Sequence, residues 1–328
     1  MKLAGWLALA VAAVGLPWGL PEWLLSTAIL TLLYAYLSQS WNLVGGFAGQ
    51  LSLGDAIYFG AGGYLVTLLN LKLGLTPWIG LWLGGLLGAA LAVAIGAVSF
   101  RFGLRGIYFA VATLAMAELT RAVVLESAFL GGTWGLQLDL KDAPGKFQFL
   151  SPLPYYYIVL TMLVLITLMA WHVRRSRLGY CLLAIRERED SAEALGVDAY
   201  RCKLRAAGLS GFCTAAGGVF HAQFILYLQP DTNFGLDIII RMVLGSVLGG
   251  KGTVAGPILG STAFALLDEA VRLIPLSTSQ GAAAGRIIYG LAIMAVVIFL
   301  PSGLVSLPGR LRTRTGRQVA RARAEGAA

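Results

Sequence analysis

RRSRLGYCLLAIREREDSAEALGVDAYRCKLR, residues 174–205, is the one long polar run between apolar segments of this chain. It sets Arg174, Arg175, Arg177, Arg186, Arg188, Arg201, Lys203 and Arg205 against Glu187, Glu189, Asp190, Glu193 and Asp198. Within it, Arg186 to Leu195 predicts a short charged helix. Gly196 then supplies the residue that tolerates the left-handed conformation just past a helix end. In so apolar a chain this stretch lies in water, and its arginines assign it to the cytoplasmic side. A charged helix displayed there, on a protein otherwise surrounded by lipid, offers a surface for another protein to grip.

Composition sets the class. Of 328 residues, 58% are hydrophobic and 12% charged; a soluble chain would carry about a quarter charged residues. Mean hydropathy is +0.77, and apolar runs of about 18 residues or more recur, which predicts an all-α polytopic membrane protein. Strands of a membrane barrel would instead alternate apolar and polar residues over short segments. The net charge of +9 sits in loops and the C-terminal tail, where membrane orientation accounts for it, so no nucleic-acid partner is expected. Cys181, Cys202 and Cys213 match no metal spacing and are expected as free thiols. With only His172 and His221 besides, no metal site is expected.

About ten spans follow, some broken or re-entrant. Leu3 to Leu20 begins like a signal peptide but lacks a small-x-small cleavage site, so it is expected as an uncleaved first span. The next are Leu24 to Val44, Leu51 to Leu71, Trp78 to Phe100, Ile107 to Leu125 and Tyr155 to Val173. Gly45, Gly46 and Gly49 mark a tight connection or broken helix between the second and third. Gly84, Gly88 and Gly96 form a small-residue stripe for close helix packing in lipid. Ser127 to Pro154 is an external loop. Ala206 to Leu228 is the seventh span. Ile238 to Gly250 is too short to cross straight and is tilted, broken or extended from Phe234. Ile258 to Ile274 and Ile287 to Leu300 are the last two. Residues 1–308 thus form the transmembrane part. Residues 309–328 form a basic cytoplasmic tail, expected to be disordered.

Ten spans put both termini on one side, and charge tests which. With a cytoplasmic start, the inner positions hold Lys2, Arg101, Arg105, the eight basic residues of 174–205, Lys251 and the six arginines of the tail. The outer positions hold Lys72, Arg121, Lys141, Lys146, Arg272 and Arg286. That bias is the one expected when both termini face the cytoplasm.

Few residues carry chemistry. Gly245 to Lys251 matches the start of a phosphate-binding G-x-x-x-x-G-K loop. Gly252 follows where Ser or Thr should hold magnesium, and no apolar strand precedes it. A glycine-rich turn at the inner surface is the expected structure, and no ATPase is expected in this chain. Charges at membrane depth must pair or hydrate. Glu118 with Arg121, and Asp268 and Glu269 with Arg272, have the spacing of helix-surface ion pairs. Asp55 either caps the following helix or lines the pathway. Arg241, the deepest charge, either pairs with Asp237 one turn earlier or faces a cavity. Asp55, Asp237 and Arg241 are the translocation-pathway candidates. No catalytic triad, paired catalytic carboxylates or cofactor motif emerges.

Four blocks carry a resemblance: SQSWNLVGGFAGQLSLGDAIYFGAGGYL (38–65), GLRGIYFAVATLAMAELTR (103–121), SRLGYCLLAIREREDSAEALGVDAYRCKL (176–204) and VLGGKGTVAGPILGS (247–261), closed by PSGL at 301–304. In order and spacing they resemble the branched-chain amino acid ABC transporter permease family, and within it the second permease subunit. The resemblance implies a high-affinity importer in a bacterial or archaeal cytoplasmic (inner) membrane. Its partners would be a second homologous permease, two cytoplasmic ATP-binding cassette subunits and a periplasmic or extracellular substrate-binding protein. ATP would be used by those partners, with no cofactor on this chain. It also implies that Arg186 to Gly196, with Arg186, Glu187, Glu189, Asp190, Glu193, Ala194, Leu195 and Gly196, is the coupling helix seated in an ATPase groove.

Asp55, Trp134 and Arg241 depart from the family's usual residues. The cargo therefore stands between branched-chain or other small amino acids and urea, short amides or another small polar solute. An ion-coupled secondary transporter using Glu118, Asp55 or Arg241 is the competing class. It would work without ATPase subunits.

Overall fold

The computed structural model describes residues 14–19, 21–138, 144–272, 290, 294 and 303–306, with side chains to residue 269 in the last long segment. Most of the first expected span, all but a few residues of the tenth and the basic tail lie outside them. Among the described residues these α-helices follow in order: α1 Glu22–Trp41, α2 Asp55–Leu73, α3 Pro77–Arg101, α4 Gly106–Glu126, α5 Leu153–Arg175, α6 Arg177–Glu187, α7 Glu189–Ala194, α8 Ala199–Ile225, α9 Pro230–Asn233, α10 Leu236–Gly249 and α11 Gly256–Arg272.

Among the described residues five stretches are long and apolar enough to cross a membrane: α2, α3, α4, α5 and Pro230–Gly249. That supports an all-helical membrane protein and leaves the count of ten without confirmation. α1, α8 and α11 are further helices at expected spans. α8 runs for 27 residues and starts at Ala199, inside the polar stretch, rather than at Ala206. The Asp198 carboxylate accepts the backbone N–H of Arg201, so a capped helix start extends the span toward the loop.

Helix α1 lies in the core, with Ile29, Leu33, Leu37 and Trp41 buried at four-residue spacing. α3 buries the opposite kind of face. Gly80, Gly84, Gly88, Ala92 and Gly96 are covered, while Trp82, Leu86 and Val93 stay exposed. The glycine stripe lies against α8: a methyl at Gly88 would meet the Gly211 carbonyl and the Ala215 side chain. In lipid, close approach and not water exclusion joins helices, so the smallest residues mark the seam and the largest face outward.

The break after the second span is a π-helical turn over Asn42–Phe47, ending at Gly49 with φ +70°. The expected external loop carries a short strand. Its Leu136–Gln137 pairs antiparallel with Tyr227–Leu228 after α8. The expected broken span is seen at residues 230–249, where α9 ends and α10 starts afresh after Gly235.

Contacts sort by end of the bundle. At one end Arg105 meets Glu189 and Asp190, and Arg186 meets Gly46. At the other, Arg121 pairs with Glu118 and Asp231, and the Trp78 indole donates to the Pro144 carbonyl. This partition is the alternation the expected spans require.

Candidate functional site

The polar stretch is two helices, not one. Arg186 and Glu187 finish α6, Arg188 is extended at φ −156° and ψ 106°, and α7 covers only Glu189–Ala194. Glu189 and Asp190 open α7, where the helix dipole favours acids. Arg186 therefore belongs to the preceding element, against the expectation of a helix from Arg186 to Leu195.

Tertiary contacts hold the break. The Arg186 guanidinium donates to the Gly46 carbonyl at 2.8 Å. The Gly252 backbone lies against that guanidinium. Asn42 joins the same point: its Oδ1 accepts from Gly252 N–H at 2.8 Å and its amide donates to the Thr253 carbonyl at 2.9 Å. On the other side Glu189 accepts from the buried Lys203 ammonium at 2.6 Å, and Arg105 donates to Asp190 at 2.6 Å. That hydrogen bond raises the Arg105 guanidinium above its already high ordinary pKa. Ala192 packs into a core cluster with Leu182, Ala199 and Cys202.

The eight coupling candidates therefore divide. Arg186 and Glu189 face inward and seat the loop. Asp190 is exposed but engaged by Arg105. Glu187, Glu193, Ala194, Leu195 and Gly196 face outward. Leu195 is 87% exposed at the tip, beside Gly196 at φ +87°. An apolar side chain held out on a fixed base is a surface that gains from a partner's cover.

The pathway candidates are not brought together. Asp55 is 1% exposed and is the first residue of α2, following the N-cap Gly54. The Ser52 hydroxyl donates to its carboxylate at 2.5 Å. Both line a small internal cavity with Tyr58, Ala92 and Ser210. Asp237 is exposed. Arg241 does not pair with it: the guanidinium lies 3.6 Å from Asp268 on α11. The (i, i+4) partner on its own helix loses to a carboxylate on the facing one. Arg241 and Asp268 line a cavity of about 120 Å³ with Tyr34, Phe264 and Glu269. The expected Glu118–Arg121 pair is present, with Asp231 as a second acceptor. The Arg272 side chain lies outside the described residues.

The stretch resembling a phosphate loop has no room for that role. Gly245 to Gly249 is helical, so its amides are spent in helix bonds, and the Gly252 amide is held by Asn42. Asn42, Lys203 and Asp268 are partners that sequence spacing alone did not single out. Each meets its group from another helix. Asn42, set inside the apolar run Leu24 to Val44, was the available signal; Lys203 was hidden among the charges of the polar run.

Comparison with known proteins agrees with this architecture. Residues 23–299 match the family model described as the branched-chain amino acid transport system permease component. The chain is 28% identical over 291 residues to the high-affinity branched-chain amino acid transport system permease protein LivM of Salmonella typhimurium, covering 81% of this chain and 68% of that one. It is 28% identical over 290 residues to LivM of Escherichia coli, covering 81% and 67%. It is 32% identical over 216 residues to the autoinducer 2 import system permease protein LsrC of Yersinia pestis, covering 64% and 56%. No solved structure matches significantly. The chain thus belongs to the branched-chain amino acid transport system permease family: it is an integral membrane transport subunit of the ABC importer type, not an enzyme.

Proposed function

We propose that this permease forms half of the translocation pathway of an ATP-driven importer for branched-chain or other small amino acids. It works with a second permease, two ATP-binding cassette subunits and an external binding protein, in the cytoplasmic membrane with both termini inside. The family match over residues 23–299 carries the proposal. The exposed tip on a tethered base fits its mechanical side. Arg186, Glu189 and Ala192 fix the loop to the bundle, so a push on Leu195 is delivered to the helices rather than absorbed by the loop. Two of the relatives are named for branched-chain amino acids. LsrC, named for autoinducer 2, makes another small polar solute the second reading of the cargo.

The test is reconstitution with the co-purifying ATPases and binding protein in liposomes. ATP-dependent uptake of labelled leucine, with substrate-stimulated hydrolysis, is the expected result. Glu193→Lys with Leu195→Asp should leave the subunit inserted and reduce stimulated hydrolysis to the basal rate. Normal stimulation in that variant removes the tip from coupling. Proton-linked uptake without ATPase subunits overturns the importer assignment.

A further inference from the structure

The cavity between α1, α10 and α11 joins groups of both charges at membrane depth. α10 and α11 form a tight hairpin: a methyl at Gly260 would strike the Gly245 carbonyl. That contact sets the register. Arg241, one turn before Gly245, comes opposite Phe264 and Asp268, one and two turns after Gly260. Charges so placed are costly in lipid and mark pathways when a cavity accompanies them.

Three features distinguish this pair from a simple staple. Its 3.6 Å separation exceeds the roughly 2.7–2.9 Å of a tight charge-assisted hydrogen bond. The guanidinium is flanked by the rings of Tyr34 and Phe264, at 5.2 and 5.6 Å; attraction to a ring face holds a cation without using its N–H donors. A second carboxylate, Glu269, lines the same space. A guanidinium fork matches a carboxylate, and paired carboxylates match an ammonium. A cavity of about 120 Å³ has the volume of roughly four waters, which suits a compact solute with both charges close together.

We infer that this cavity binds the zwitterionic head of a small α-amino acid, its carboxylate on Arg241 and its ammonium toward Asp268 and Glu269. The inference rests on the importer proposal and deepens it by placing the cargo in this chain. Opposite charges a few ångströms apart are what an α-amino acid has and what a neutral amide, an amine or a carboxylic acid lacks.

The experiment uses the complete importer in nanodiscs, with Cys181, Cys202 and Cys213 replaced by serine and Thr31→Cys introduced on the cavity wall. The rate of thiol labelling at residue 31 is measured with L-leucine, with L-alanine, and with leucine stripped of one charge: 3-methylbutan-1-amine and 4-methylpentanoate. The amino acid that the same preparation imports should slow labelling at least about threefold, and neither single-charge compound should. Arg241→Gln should abolish protection while the subunit still assembles with its partners. Arg241→Gln with Asp268→Asn should restore any lost thermal stability without restoring protection.

Equal protection by all compounds, protection by the amine alone, or retained protection in Arg241→Gln overturns the inference. So does recovery of transport in the double variant, the mark of a structural pair. Leucine uptake driven by ATP with no protection at residue 31 overturns the site and leaves the importer standing. A preparation that imports no α-amino acid overturns both.

Discussion

Lys203 sits with its side chain 3% exposed, its ammonium on Glu189 and over the Phe100 ring at 4.7 Å. A buried pair is weak evidence for stability, but removing one partner leaves a buried charge uncompensated, which costs about 3–5 kcal/mol. Glu189→Ala should therefore lower the thermal midpoint in detergent strongly, and Glu189→Ala with Lys203→Met should recover most of the loss. Asp190, whose side chain is 85% exposed, should cost under about 1 kcal/mol when replaced by alanine, as surface pairs do. Sequence alone does not separate these neighbours, because both read as acids in a charged stretch. Which one turns inward depends on a lysine that comes 14 residues later. The same limit applied at Arg241. Its need for a partner was legible from its depth, and Asp268 was not, because the facing helix decides the pairing.

Helices were legible wherever composition acts locally. α3, α4 and α5 begin and end within two residues of the runs that predicted them, because an apolar stretch in lipid can satisfy its backbone only as a helix. The glycine stripe of α3 was legible for the same reason, as small residues are the currency of close helix contact. Gly88→Val should displace α8 and destabilise the subunit by about 1–3 kcal/mol, the range for overpacking, read as a lower midpoint in size-exclusion thermal assays. Gly145→Ala, where a methyl meets nothing within 4 Å, should leave the midpoint unchanged. The break at Arg188 was missed because neither glycine nor proline marks it. Long-range bonds to Gly46 and Lys203 override a locally continuous helix pattern. The pairing of Leu136–Gln137 with Tyr227–Leu228 was missed likewise, since two-residue strands carry no period.

Across the whole molecule, lysine and arginine placement predicts the orientation, and the contacts group the segments that share an end. Single cysteines in a cysteine-free background test the absolute orientation with an impermeant thiol reagent on intact cells. Lys146→Cys should label from outside, and Ser191→Cys only after permeabilisation. The reverse result would invert the protein in the membrane. The cargo stayed least legible, because the groups proposed to hold it come from three different helices and its delivery is proposed to rest with a separate chain.

The seat of the loop tip also bears on biogenesis. Gly46, Arg186 and Gly252, with Asn42, meet at one point, yet the ribosome releases them far apart in time. A chain still lacking the α10–α11 turn has no Gly252 amide for Asn42 and no wall behind Arg186. The seat of the loop is unfinished until that hairpin inserts. Chains truncated after residue 235 should be cut by trypsin at Arg186 in inverted membrane vesicles, and full-length chains should resist cleavage there. In the importer proposed above, such late completion would keep an immature permease from recruiting its ATPase subunits, a checkpoint set by the order of synthesis.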